Sequence, residues 1–293
     1  MELAAVGDQS GEVARGERFE FGRNWAHFLT VLDDRRLAQA EASLRELLER
    51  DTLAGVRFLD VGSGSGLFSL AARRLGARVR SFDYDPQSVA CTRELKRRYF
   101  PDDPEWRIES GSILDARFVE GLGTFDIVYS WGVLHHTGQM WRALDLASTL
   151  VATNGSIVLA LYNDTGTQSA RWKRIKRAYG RVPRGLRPLV ALIVSAPEEL
   201  KALARALVAG RPQQYVQTWT RYHHNRGMSH WHDLLDWVGG YPYEVARPDE
   251  IVRFFRARGF VLDNLKTGAG LGCNEFVLRR SDAVRAPRSA GAA

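Results

Sequence analysis

The sequence predicts an α/β fold, a seven-stranded and mostly parallel sheet that ends in an antiparallel hairpin and carries an inserted helical segment. Three observations predict it. Apolar runs of strand length alternate with helix-length amphipathic segments from residue 56 to 162, the pattern of right-handed crossovers between parallel strands. That rhythm stops over 163–247, a stretch rich in Arg, Trp, Tyr and His. It resumes at 248, where two final strand-like runs lie close enough to pair as a hairpin.

Taken in order, residues 1–18 read as a loose polar arm. Residues 33–50 read as an amphipathic helix, with Leu37, Ala40, Leu44, Leu47 and Leu48 at helical spacing and Asp33 and Asp34 at its N-terminal end. Val56–Val61 forms the first strand, closed by a glycine-rich turn. A helix over 66–75 stops at Gly76, and the second strand, 78–82, ends at Asp83. The pattern repeats as helix 86–98, strand 106–110, strand 125–130, helix 140–150 and strand 156–162. The runs FDIVYS and SIVLALY are apolar enough to be covered on both faces. After the insertion come a helix over 248–258 and strands 260–266 and 274–279, with Pro248 suited to a helix start. The expected organisation is an arm and lid helix over 1–54, a core over 55–162 and 248–280, a mostly helical cap over 163–247, and a disordered tail over 281–293.

Composition narrows the function. The chain has 293 residues, 45% hydrophobic and 26% charged, which describes a globular protein with a real core. Two distant cysteines, Cys91 and Cys273, exclude a disulfide framework and a Cys-rich zinc module, and they suit a reducing compartment. The N-terminal residues show no secretory pattern, and no apolar run approaches the roughly 20 residues of a spanning helix, so a cytoplasmic location is expected. The net charge of +7 suits solubility, or attraction to phosphates, carboxylates or an anionic surface.

The sharpest motif is FLDVGSGSGLFSLAARRLGARVRSFDYD. A strand enters Asp60-Val61-Gly62-Ser63-Gly64-Ser65-Gly66 and a helix leaves it. Glycines there allow a tight turn and close backbone approach to a ligand. Asp83, at the end of the next strand, is placed to accept both hydroxyls of a ribose. The helix lacks the Gly-Lys-Ser/Thr ending of a phosphate loop, and the closing hairpin differs from a two-fold dinucleotide domain.

On these residues, 56–162 and 248–279 resemble the Rossmann-like class I S-adenosylmethionine-dependent methyltransferases. The resemblance implies that Asp60, Gly62, Ser63, Gly64 and Gly66 form the cofactor turn and cradle the methionine and ribose parts. It implies that Asp83 holds the ribose hydroxyls and that Tyr84 flanks the adenine. The family's usual acid after the third strand is Ser112 here, followed by Ile113; a hydroxyl can still accept a hydrogen bond. The segment FDIVYSWGVLHHTG would bring Ser130, Trp131, His135 and His136 near the methyl-donating sulfur, with either histidine a candidate base or a packed ring.

Two further segments resemble bacterial quinone-methylase-like proteins. In RFEFGRNWAHFL, Phe19, Phe21 and Trp25 could cover a sulfonium by cation–π contact or staple the arm to the core. In RYHHNRGMSHWHDLLDWVGGYPYEVARPDEI, His232 and Asp233 join the candidate catalytic groups, with Asp236 one helical turn beyond His232. Arg226, His224, Trp231, Tyr241 and Tyr243 are candidate acceptor contacts. A metal site on these imidazoles and carboxylates lacks supporting ligand spacing, so no metal is assigned.

Residues 171–187 carry eight basic residues and no acid, ahead of the apolar PLVALIVSA. That order suits a solvated face, an anionic acceptor or peripheral membrane contact through 171–196. The sequence at the fourth strand lacks the Asn/Asp-Pro-Pro-aromatic motif of base amine methylases and the Pro-Cys nucleophile of cytosine C5 enzymes, which disfavours nucleic acid. The expected activity is O-methylation of a small metabolite, lipid intermediate or sugar. The alternatives are a protein or RNA methyltransferase that docks through the basic segment, and a binding partner without turnover.

Overall fold

The computed structural model describes residues 9–22, 25, 29–30, 32–220, 230–268 and 270–281. Along the chain the helices are α1 (Gln9–Ala14), α2 (Asp34–Leu48), α3 (Leu67–Arg74), α4 (Pro86–Tyr99), α5 (Ala116–Glu120), α6 (Met140–Thr149), α7 (Thr167–Gly180), α8 (Arg187–Val208), α9 (Pro212–Thr220), α10 (His230–Gly239) and α11 (Pro248–Arg256). The strands are β1 (Arg57–Val61), β2 (Arg78–Asp83), β3 (Trp106–Ser110), β4 (Phe125–Trp131), β5 (Val151–Tyr162), β6 (Phe260–Lys266) and β7 (Cys273–Arg280).

The strands form one seven-stranded sheet in the order β3-β2-β1-β4-β5-β7-β6. The first five are parallel; β7 runs antiparallel to both β5 and β6. Because side chains alternate across each strand, the sheet presents two apolar faces, and each is covered. On one, Phe58, Ile127 and Val158 pack with Leu37 and Leu44 of α2, Leu70 of α3 and Leu95 of α4. On the other, Leu59, Val128 and Leu159 pack with Val119 of α5, Leu144 of α6 and Phe255 of α11. The chain order reverses between β2-β1 and β4, so a crevice opens at the carboxyl ends of these strands, where ligands bind in open α/β sheets.

Local chemistry explains the element ends. The Asp33 carboxylate accepts from the Arg36 amide at 2.9 Å and starts α2; Asp85 does the same for α4 through the Gln87 amide at 2.8 Å. Strand β5 is longer than expected, because 151–155 joins it through an irregular register with β4.

The arm differs from its expected looseness. Residues 9–14 are helical, and the Phe19 amide donates to the Tyr241 carbonyl at 2.8 Å. Arg18 Nη1 donates to the His136 carbonyl at 3.0 Å. The arm therefore bridges the insertion and the sheet.

The insertion has its own apolar cluster, centred on Trp172, Tyr179, Ala191, Val238 and Tyr243. Lys176, one member of the basic run, is not solvated. It is fully buried, donates to the Trp237 carbonyl, and lies 4.3 Å from the Trp237 ring and 5.0 Å from the Tyr243 ring. Aromatic faces and a carbonyl replace water around the ammonium. Among the described residues no helix is long and apolar enough to cross a membrane. The expected tail falls outside the described residues apart from Ser281.

Candidate functional site

A cavity of about 500 Å³ opens over the carboxyl ends of β1, β2, β3 and β4. Its floor is the turn after β1. The amides of Gly62 and Ser63 both donate to the Phe82 carbonyl, at 2.9 and 3.1 Å, which ties this turn to β2. Gly62 has φ 78°, and a Cβ there would stand 2.7 Å from Val133 Cγ2 and closer still to Cγ1. Only glycine fits that backbone and that space.

Two acids line the floor. Asp83 accepts from the Gly64 amide at 2.9 Å and from the Asp85 amide at 2.8 Å. Burial still pushes its carboxyl up to about 6. Asp60 accepts from Ser69 Oγ at 2.5 Å, Ser69 and Ser81 hydroxyls lie 2.7 Å apart, and Trp106 Nε1 donates to Ser81 at 3.0 Å. Indole can only donate, and the Ser69 proton is committed to Asp60. Every proton in this chain therefore points toward the Asp60 carboxylate. Burial, with the Asp83 charge adding, raises Asp60 to about 7. Neither acid has an ion-pair partner among the described residues. Two desolvated carboxylates without a cation make a floor that suits a cationic ligand.

The wall beside the floor carries His136. Its Nδ1 lies 2.5 Å from the Pro242 carbonyl, which can only accept. The ring proton therefore sits on Nδ1, and Nε2 keeps a lone pair. Burial holds the imidazole down at about 3, so it stays neutral. His135 differs. It is fully buried and does not line the cavity; its Nδ1 accepts from the Tyr162 amide at 3.3 Å, which places the proton on a partnerless Nε2. The structure thus removes His135 from the group that can touch a ligand in the cavity.

Aromatic rings form the remaining walls. Tyr129 and Trp131 stack at 5.7 Å with 7° between their planes, and Phe68 packs against both. Phe21 lies 4.9 Å from the His136 ring. The Arg18 guanidinium stands 5.0 Å over the Tyr84 ring, with Nε held by Glu12 at 2.6 Å.

Of the residues expected at the site, the structure brings Trp25, Asp60, Gly62, Ser63, Gly64, Asp83, Tyr84, Ser112, Ile113, Trp131 and His136 to this one cavity. Besides His135, four others stand off it. Gly66 opens α3 against Thr92, and Ser130 is buried with its hydroxyl on the Val61 carbonyl at 3.0 Å. Tyr241 is tied to the arm, and Tyr243 is buried against Tyr162 at 5.2 Å. His224 and Arg226 lie outside the described residues. Trp231, His232 and Asp233 fall on the backbone of α10, and their side chains lie outside the described part. The alternative of a metal site drew on the same residues.

Sequence reasoning missed Arg18, Phe68, Tyr129, Val133 and Tyr162. Tyr129 was within reach: strand alternation puts it on the same face as Trp131.

A family of methyltransferase domains matches residues 32–265. Among curated proteins, the chain is similar to ubiquinone biosynthesis O-methyltransferases. It is 34% identical over 116 residues to that of Xanthomonas campestris pv. campestris, covering 40% of this chain and 47% of that protein. It is 34% identical over 113 residues to that of Xanthomonas oryzae pv. oryzae, covering 39% and 46%. The chain thus matches about half the length of these relatives. Among solved structures it is similar to an O-methyltransferase family protein from Burkholderia thailandensis, with TM-score 0.53 and 15% identity over 94% of this chain and 68% of that one. It is also similar to magnesium protoporphyrin IX methyltransferase from Synechocystis PCC 6803, with TM-score 0.52 and 11% identity over 96% and 100% of the two chains. At such identities the likeness is one of fold, the Rossmann-like class I arrangement.

Proposed function

We propose that this chain, which belongs to the methyltransferase-domain family and so uses S-adenosylmethionine, methylates a hydroxyl oxygen of a small, largely apolar acceptor. The observation that carries the reading is the His136 ring: a neutral imidazole on the cavity wall with Nδ1–H fixed on the Pro242 carbonyl and its Nε2 lone pair uncommitted. The curated relatives, themselves O-methyltransferases by name, support oxygen as the acceptor atom.

The residues present fit the cofactor. The Gly62 turn leaves room that a Cβ would fill, and Asp60 and Asp83 are buried acids without a cation. When bound, S-adenosylmethionine supplies an electrophilic methyl carbon on a sulfonium. Asp83 has lone pairs beyond its two amide partners for the ribose hydroxyls, and Asp60 offers charge to an ammonium. Phe68, Tyr129 and Trp131 exclude water and offer flat apolar surface to the acceptor. Catalysis then rests on alignment and on removal of one proton.

A base held as low as His136 does not ionise a free alcohol or phenol. It accepts a hydrogen bond from the hydroxyl and takes the proton as the new C–O bond makes that oxygen strongly acidic. Replacing it by alanine is therefore expected to lower the transfer rate about 100- to 10,000-fold. The test uses labelled S-adenosylmethionine with fractionated small-molecule and lipid extracts, and calorimetry for cofactor affinity. A near-wild-type rate for His136→Ala would remove His136 from the mechanism; no transfer to any fraction by the wild-type chain would remove the enzyme reading.

A further inference from the structure

Helix α8 spans 22 residues, yet only Ala191 and Ser195 of it are buried. Leu186, just before it, and Leu189, Leu192, Ile193, Leu200 and Leu207 are all more than half exposed. Isolated exposed leucines are ordinary, but a run of them along one helix marks a binding face.

The charges of the segment that leads into this helix choose the occupant of its leucine face. From Thr165 to Pro197 the chain has no acidic residue. Arg171, Lys173, Arg174 and Arg177 are exposed on α7, and Arg181 follows in the turn that leads to α8. The first acids after this stretch are already engaged: Glu198 with Lys201 at 2.8 Å, and Glu199 with the Tyr215 hydroxyl at 3.0 Å. A second copy of the chain laid on this face would bring one basic cluster against another, which disfavours self-association. A free anion would satisfy the arginines and leave the leucines wet.

We propose that the α7–α8 face is a membrane-docking surface, with α8 lying in the plane of an anionic lipid layer, its leucines among the acyl chains and the arginines of α7 on the headgroups. Insertion is shallow rather than spanning, because Glu198, Glu199, Lys201 and Arg205 occupy the second half of α8. Apolar burial and attraction to anionic headgroups act together in this mode, so losing either one is expected to release the protein. The proposal is independent of the acceptor assigned above.

The test is flotation of the full chain with vesicles of phosphatidylcholine alone or mixed with phosphatidylglycerol, at low and high salt. Two double variants, Leu189→Glu with Ile193→Glu and Arg174→Glu with Arg177→Glu, are compared after thermal unfolding shows that they fold. Wild type is expected to float with the anionic vesicles, weakly with the neutral ones, and less at high salt. Each double variant is expected to lose roughly tenfold or more of its partitioning. Absence of binding to anionic vesicles, equal binding to both vesicle types, or leucine variants that bind as wild type would each overturn the proposal. So would a dimer in solution that the Leu189→Glu pair dissociates, since the face would then belong to a second copy.

Discussion

Gly62→Ala separates backbone strain from crowding at the floor of the cavity, because Gly123 provides a matched control. Gly62 has φ 78° and Gly123 has φ 77°, so alanine at either position carries the same left-handed penalty, about 1–2 kcal/mol. The surroundings differ. A Cβ at Gly123 meets nothing within 4 Å, whereas at Gly62 it would stand 2.7 Å from Val133 Cγ2. Forcing that contact open adds about 1–3 kcal/mol of overpacking. Gly123→Ala should therefore cost about 1–2 kcal/mol and Gly62→Ala roughly 2–5 kcal/mol, at about 2–4 °C of melting temperature per kcal/mol. Denaturant and thermal unfolding measure both. Val133 and Gly62 also line the cavity, so Gly62→Ala should weaken S-adenosylmethionine roughly tenfold or more by calorimetry while Gly123→Ala leaves it alone. Adding Val133→Ala removes both Cγ contacts and leaves the Val133 Cβ at 3.0 Å, so it should recover most of the crowding part of the loss and none of the strain. If Gly62→Ala is no less stable than Gly123→Ala, the close approach of the turn to Val133 is wrong.

Other expectations concern charge. Burial keeps native His136 near 3 against an ordinary 6.5, so the unfolded chain gains a proton that the native chain refuses; stability falls as pH drops from about 6.5 toward 3, and His136→Asn should flatten that slope in thermal unfolding. Asp60 runs the other way: raised from 3.8 to about 7, it favours the native state below about pH 4 and loses that contribution as pH rises through 7. Asp60→Asn, neutral and of the same shape, should therefore be more stable than wild type at about pH 8 yet bind S-adenosylmethionine more weakly; a loss of stability there would show that Asp60 is not held against its own desolvation. Removing the buried charge with Lys176→Met should raise the titration of His136 in imidazole NMR spectra, since Lys176 lowers it; an unmoved titration would mean that the ammonium does not act on the histidine.

The sheet was legible because β1, β4 and β5 hold short apolar runs that alternate with helix-length segments, and because Asp60 to Gly66 and Asp83 fall at the ends of successive strands. Elements held by distant partners were not. Helix α1, QSGEVA, has no apolar period, and residues 9–14 sit on an arm whose anchors, the His136 and Tyr241 carbonyls, lie more than a hundred residues away. Residues 151–155, expected between helix 140–150 and strand 156–162, instead belong to β5, with Asn154 at φ 60°. Lys176 reads as one more solvated cation because the rings that receive it come from Trp172, Trp237 and Tyr243. The same reason separates the two histidines: adjacent in sequence, they differ only in what the folded chain places against each ring.

The Pro242 carbonyl that fixes His136 belongs to the end of the helical insertion, and it is not alone. The Glu244 amide donates to the His135 carbonyl at 3.0 Å, the Glu244 carboxylate accepts from the Met140 amide at 2.9 Å, and the Ala246 amide donates to the Tyr162 carbonyl at 3.0 Å. The insertion therefore has a detachable part and a part that cannot be detached. In a chimera that exchanges the helical insertion, 166–239 is the stretch to transplant. Residues 240–247 must stay with the recipient sheet, because a graft that carries its own version of them would replace the group that decides which nitrogen of His136 holds the proton. The helices of the insertion thus hang from one short return segment, whose backbone amides and carbonyls tie them to the sheet and seat His136.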